Sequence, residues 1–358
     1  MTAFCKLLIR LICIIALNTL FTSAHSTEWG PFRGATASVE MSEKDVADFA
    51  NLGGNLLRIG FNRMPLMHKE PPYEFNEKAF AKLDQILDWC NHYDVKVIID
   101  PHTTPGTERN TTTLPDDELW HDFKYHDLLN SLWDRIARQY QNRNDVIVGY
   151  NLLNEPAARL LPFPDGSADY NTLIRRLVET VRKQDKTTPI IIEPPVGRTV
   201  LGLRVNRMQG LTYLEPLLYP NIIYSPHMYE PGSFTHQGVK DFKIGIKYPG
   251  RIGLRYWDKE ALRKTLAPVV EWQRLHQVPI YIGEFSASRY SGESGEHYLR
   301  DLIDLFEEYG WSWTYHAWRE APVWDTEIAG TEKDDRAKSA NAPRLQLLRD
   351  AFARNRVP

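Results

Sequence analysis

Seven short runs of apolar, often β-branched residues recur along the chain, at residues 55–61, 95–100, 146–151, 189–193, 221–225, 279–283 and 311–316. Continuously apolar runs of this length suit strands buried on both faces, as in a parallel sheet. Helical patterns fill the gaps. Ser42 with Asp45 makes a capping-box start for one helix, and Asn76 caps another that reaches His92. Leu173, Ile174, Leu177, Val178 and Val181 share one helical face, as do Leu262, Leu266, Val269 and Val270, where Pro268 is expected to kink the helix. Tyr298, Leu299, Leu302, Ile303 and Phe306 mark another. An eighth, weaker strand is expected near Phe32-Arg33-Gly34. Strand alternating with helix means a parallel sheet, and eight such units predict a single-domain (β/α)8 TIM barrel. The doubly wound alternative lacks the Gly-x-Gly-x-x-Gly that holds a dinucleotide after a first strand.

The first 24 residues read as a secretory signal peptide rather than as part of the fold. Lys6 and Arg10 form a basic start, Leu11 to Phe21 a short apolar run, and Thr22-Ser23-Ala24 a small-residue cleavage site. Asn18 and Thr19 interrupt a run already shorter than the roughly 20 residues that a membrane anchor needs. The folded domain is therefore expected over residues 25–358, in the periplasm or the medium, with no membrane attachment after cleavage. Of three cysteines, Cys5 and Cys13 leave with the signal, and Cys90 lies on an apolar helical face as a buried thiol. That count excludes a cysteine metal site, and no His-Glu-x-x-His is present.

Composition narrows the partner. The 358 residues are 42% hydrophobic and 25% charged with net charge −3, which is globular and lacks the basic surface that nucleic acid requires. Ten Trp and seventeen Tyr are compatible with sugar binding or with a large aromatic core.

A barrel places its site at the carboxyl ends of its strands. The second run carries Arg58, the third ends at Asp100-Pro101-His102, and the fourth is followed by Asn154-Glu155-Pro156. The sixth leads to His227 and Tyr229, the seventh to Glu284, and the last to Trp318. Strands four and seven lie across an eight-strand ring, so Glu155 and Glu284 are expected to face each other over a cleft. Two facing carboxylates are the apparatus of glycoside hydrolysis.

Gly54-Asn-Leu-Leu-Arg-Ile-Gly60, Ile99-Asp-Pro-His102, Asn151-Leu-Leu-Asn-Glu-Pro156, Ser225-Pro-His-Met-Tyr229, Ile282-Gly-Glu-Phe285 and Thr314-Tyr-His-Ala-Trp318 together resemble glycoside hydrolase family 5, the family of many cellulases and mannanases. The resemblance runs from about residue 30 to 320. Arg33-Gly34-Ala35-Thr36 departs from the Arg-Gly-Val-Asn frequent in the family. The resemblance implies Glu155 as acid/base and Glu284 as nucleophile of a retaining O-glycosyl hydrolase without metal or organic cofactor. Arg58 and Tyr229 would donate to Glu284, Asn154 would bind the sugar 2-hydroxyl, and His102 and His227 would shape the central subsite. Trp318 would offer its face to the cleaved sugar. The expected substrate is a β-1,4-glucan cut internally, with β-mannanase or another β-glucan or exo-β-glucosidase specificity in the same family as the alternatives. Trp120, Phe234, Trp257 and Trp324 are candidate stacking platforms or rings packed under loops. A carbohydrate-binding barrel without catalysis would have lost a glutamate, and a phosphometabolite enzyme would need glycine-rich loops after the last two strands.

Overall fold

A computed structural model describes residues 29–107, 118–158, 169–198 and 204–356. The expected signal peptide lies outside these residues. Eight parallel strands form one sheet: β1 Arg33–Ser38, β2 Leu56–Gly60, β3 Lys96–Asp100, β4 Ile147–Asn151, β5 Ile190–Ile192, β6 Ile222–Tyr224, β7 Tyr281–Phe285 and β8 Ser312–Trp318. Their spatial order is β7-β8-β1-β2-β3-β4-β5-β6. Bridges between Tyr224 and Ile280 and between Met228 and Phe285 join the two ends, so the sheet closes into the expected (β/α)8 barrel. Each strand is followed by a helix: α1 Glu43–Leu52, α2 Glu77–His92, α3 Phe123–Tyr140, α4 Tyr170–Gln184, the short α5 Arg207–Gly210, α6 Lys259–His276, α7 Glu293–Glu308 and α8 Pro343–Phe352.

The helix starts follow the sequence signals. Ser42 and Asp45 form a reciprocal capping box, and the Asn76 side chain accepts from the Ala79 N–H. Both arrangements satisfy donors that a helix start leaves free. Helix α6 continues through Pro268 to His276. Cys90 is buried on α2, and burial pushes its thiol up to about 12.

Strand β1 is longer than the weak signal near Gly34 predicts. Its residues Ala35, Thr36, Ala37 and Ser38 are small, so their pattern resembles a loop, yet they pair with β2 and β8. A side chain at Gly34 would come within 1.9 Å of the Leu56 carbonyl oxygen, so only glycine lets β1 approach β2 this closely.

Side-chain alternation splits the core in two. Leu57, Ile59, Val97 and Ile99 face the helices as part of the large outer core. Leu56, Ile98, Ile191, Ile223 and Tyr281 form a separate cluster inside the ring, with Trp29, Phe32 and Val148 packed against it. The Trp29 indole donates to the Val148 carbonyl at 2.8 Å and helps seal this end. Two residues further along these strands come Arg58, Asp100 and Glu193. An apolar floor thus underlies an ionic layer at the strands' carboxyl ends.

No helix among the described residues is long and apolar enough to cross a membrane.

Candidate active site

Arg58 is 1% exposed and organises the ionic layer. Its Nη1 donates to Glu284 Oε1 at 2.8 Å, while Nη2 donates to Asn154 Oδ1 at 2.8 Å and to Glu193 Oε1 at 3.0 Å. Nη2 also lies 3.1 Å from Asp100 Oδ2, and Nε donates to Asn151 Oδ1 at 3.1 Å. The rigid guanidinium fork therefore ties β2 to the ends of β3, β4, β5 and β7, a task a lysine ammonium could not perform. Burial works against the Arg58 charge, but Asp100, Glu193 and Glu284 hold it above the ordinary guanidinium value.

Glu284 reaches this layer because β7 is irregular. Its register against β8 slips between Ile282 and Phe285. Strict alternation from the inward Tyr281 would send Glu284 outward. The irregularity re-aims it, as bulges beside active sites do. The Tyr229 hydroxyl donates to Glu284 Oε2 at 2.8 Å. Burial alone would push the Glu284 carboxyl up. His227, His316, Arg58 and His102 override that and hold it well below the usual carboxylate range.

Glu155 follows β4 with a left-handed backbone, φ 44°. Its N–H donates to Glu193 Oε2 at 2.8 Å, and its Oε1 lies 2.9 Å from His227 Nδ1. The other ring nitrogen of His227 is 3.3 Å from Glu193 Oε2. Gly283 makes room for this ring, since a Cβ there would lie 2.8 Å from His227 Nε2. Burial opposes a charged imidazole, but Glu193 and Glu284, with hydrogen bonds to Glu155 and Glu193, push His227 up to about 10. On β3, Asp100 Oδ2 is 2.6 Å from His102 Nδ1, and the Asn154 amide is 3.4 Å from the other nitrogen of His102. Burial lowers the His102 pKa, but Asp100 outweighs it and the net shift is upward.

Donor atoms of Glu155, His227 and Glu284 lie within 4.8 Å of one another, the spacing of a three-ligand metal site. His227 already uses Nδ1 on Glu155 Oε1 at 2.9 Å. The same separation lets two carboxyl groups act on one bond.

Seven of the eight expected site residues converge: Arg58, His102, Asn154, Glu155, His227, Tyr229 and Glu284. Trp318 does not join them. Between Ala35 and Ala37 of β1, the register of β8 advances from Tyr315 to Trp318, one residue too many. That extra residue turns Trp318 outward with Tyr315. Its ring packs 5.6 Å from Phe49 of α1, its indole N–H donates to the Asp45 carbonyl at 3.0 Å, and Arg319 lies over it at 4.5 Å. His316 faces the site instead. Its Nδ1 is 2.8 Å from Thr36 Oγ1 and 3.8 Å from Glu284 Oε2.

Among the expected platforms, Trp120 lines a recess with His102, Asn154 and Glu155. Trp324 lies 5.7 Å from His316 and 6.4 Å from Tyr229. Phe234 packs under its loop against Tyr248 and Tyr298, and Trp257 is buried under the Arg255 guanidinium. Sequence reasoning also missed Glu193, although it follows Ile190–Ile192 at a strand's carboxyl end like the others.

The model of the cellulase family, glycosyl hydrolase family 5, matches residues 19–322. Endoglucanase C of Acetivibrio thermocellus is 27% identical over 307 residues, covering 77% of this chain and 84% of that protein. Cellodextrinase A of Ruminococcus flavefaciens is 23% identical, covering 75% of this chain and 76% of that one. Among solved structures, Cel5A of Thermotoga maritima in complex with mannotriose has the same fold, with TM-score 0.68 at 23% identity over 89% of this chain and 97% of that one. The family match spans most of the barrel and every strand end that carries a charged group, and the chain belongs to glycosyl hydrolase family 5 and is a glycosidase.

Proposed function

We propose that this glycosidase is an exported, retaining endo-β-1,4-glucanase in which Glu284 is the nucleophile and Glu155 the acid/base. The observation that carries the reading is the pair itself. A carboxylate oxygen of each lies within 4.8 Å of the other. Double displacement uses carboxyl groups about 5–5.5 Å apart, whereas inversion needs about 6.5–9.5 Å to admit water.

Glu284, gripped by Arg58 and Tyr229, is held as a carboxylate aimed at the anomeric carbon. It attacks as Glu155 protonates the departing oxygen, giving a glycosyl ester on Glu284. Glu155, then a carboxylate, takes a proton from water, which attacks the same carbon and releases Glu284. Asn154, fixed by Arg58, would hold the 2-hydroxyl.

The glucan preference draws on the endoglucanase names among the relatives. Mannan is the rival, since one neighbour of this fold was solved with mannotriose. Export rests on the N-terminal pattern of Lys6, Arg10 and the apolar run after it. The test compares kcat/KM on carboxymethylcellulose, mixed-linkage glucan and glucomannan with that on pure mannan, and sizes the products. Preference for the glucans with oligosaccharide products supports the reading. Activity confined to mannan, or release of single sugars alone, refutes the specificity.

A further inference from the structure

We propose that Glu193 is a positioning residue for the acid/base, clamping the main chain of Glu155 with one oxygen and keeping His227 doubly protonated beside the Glu155 carboxyl. The inference rests on the reading of Glu155 as acid/base.

Glu193 is 3% exposed, and a carboxylate is costly to bury unless its lone pairs are satisfied. Three hydrogen bonds and one close ion-pair contact converge on it. Oε1 accepts from Arg58 Nη2 at 3.0 Å and from Asn151 Nδ2 at 3.0 Å. Oε2 accepts from the Glu155 N–H at 2.8 Å and faces His227 Nε2 at 3.3 Å. The Tyr170 hydroxyl anchors the Glu193 main-chain carbonyl from α4.

Two consequences follow. Glu155 has a positive φ, a strained conformation for a non-glycine residue that persists only where neighbours enforce it. The bond from its N–H to Glu193 enforces it, and so fixes where the acid points. His227 sits between two carboxyl groups, Glu155 at Nδ1 and Glu193 at Nε2. A neutral ring has a single N–H and can point it at only one of them. Only the imidazolium presents an N–H to both.

The charged groups around the pair fix the direction of the effect. Arg58 enters from β2, with Asp100 and His102 from β3. Glu284 comes from β7, 3.8 Å from His227 Nδ1, and His316 from β8 lies 3.8 Å from Glu284. Tyr229 bonds Glu284, and the Tyr281 and Tyr170 phenols, pushed up mainly by burial, also feel the Glu193 charge. Removing one fixed negative charge disfavours every protonated form of this coupled cluster. The last essential proton is then lost at lower pH.

Glu193→Gln keeps the shape and removes the charge. The alkaline limb of kcat/KM against pH is expected to move acidward by about one unit or more on a soluble β-glucan. Glu193→Asp keeps the charge but retracts it, so its alkaline limb stays while kcat falls. A folded Glu193→Gln enzyme with the wild-type alkaline limb overturns the proposal. If that variant does not fold, ¹⁵N NMR of histidine-labelled wild-type enzyme decides. A doubly protonated His227 at about pH 8 supports the clamp, and a neutral ring there overturns it. Glu155→Ala separates the two levels. Wild-type turnover on polysaccharide in Glu155→Ala removes the acid/base reading and this proposal with it. Impaired turnover in Glu155→Ala together with an unmoved limb in Glu193→Gln overturns the Glu193 role alone.

Discussion

Arg58 Nη1 and Glu284 Oε1 meet at 2.8 Å inside the barrel mouth, with side chains 1% and 7% exposed. The contact joins the middle of β2 to the bulged end of β7 across 226 residues of sequence. It fixes the carboxylate's charge and its direction together. Arg58→Ala would leave Asp100, Glu193 and Glu284 crowded without their cation. Breaking a buried pair this way costs about 3–5 kcal/mol. Thermal denaturation is expected to show a fall in Tm of many degrees along with loss of turnover. A variant as stable as wild type would show that the fork does not hold this layer together.

Tyr229→Phe removes one hydrogen bond to Glu284 and leaves the ring in place. A hydrogen bond to a charged group contributes about 1.5–3 kcal/mol, so kcat is expected to fall roughly 10- to 100-fold. The acid limb of the pH profile should move upward, because the carboxylate loses a donor that favours its charged form. Steady-state kinetics across pH checks both, and an unmoved acid limb would remove Tyr229 from the support of Glu284.

Stability should depend on pH in a definite sense. Glu284 is held below its ordinary value. Its contribution is complete above the unfolded carboxyl pKa of about 4.3 and is lost as pH falls through the folded value. His227 is raised to about 10. Its contribution is complete below the unfolded imidazole pKa of about 6.5 and is lost as pH rises through the folded value. Calorimetry should find the highest Tm between about pH 4.5 and 6.5, with a decline on the alkaline side that His227→Gln weakens. An alkaline slope unchanged in that variant would assign it to other groups.

Trp318 and His316 should separate stability from activity. Trp318→Ala empties a buried aromatic site against Phe49 and is expected to cost about 3–5 kcal/mol. Well below its lowered Tm, its KM should stay near wild type. His316→Ala should show the reverse, with impaired kinetics and a smaller change in Tm. A large KM effect from Trp318→Ala alone would place its ring on the sugar after all.

The charged strand ends were legible because each ionisable group interrupts an otherwise apolar run: Arg58 within Leu56–Gly60, Glu284 within Tyr281–Phe285. Period and capping also fixed the helices around Ser42 and Asn76. What escaped depends on relations between strands. Strand β1 is built of Ala, Thr and Ser, whose strand character comes from pairing on both sides rather than from local preference. Trp318 ends the last apolar run as the other site residues end theirs, but a register slip against β1 turns it outward. Glu193 bore the same strand-end signal as Glu155. Its importance lies in partners from β2, β4 and β6, which no local pattern reveals.

The covalent intermediate is the most direct test of the two-glutamate account. A 2-deoxy-2-fluoro β-cellooligosaccharide with an activated leaving group slows both displacements but lets the first proceed, so the glycosyl-enzyme accumulates. Mass spectrometry of the intact protein and of its peptides should find one added glycosyl unit, carried by the peptide containing Glu284 and absent from Glu284→Ala. A label on a different residue, or full inactivation without any adduct, would contradict it.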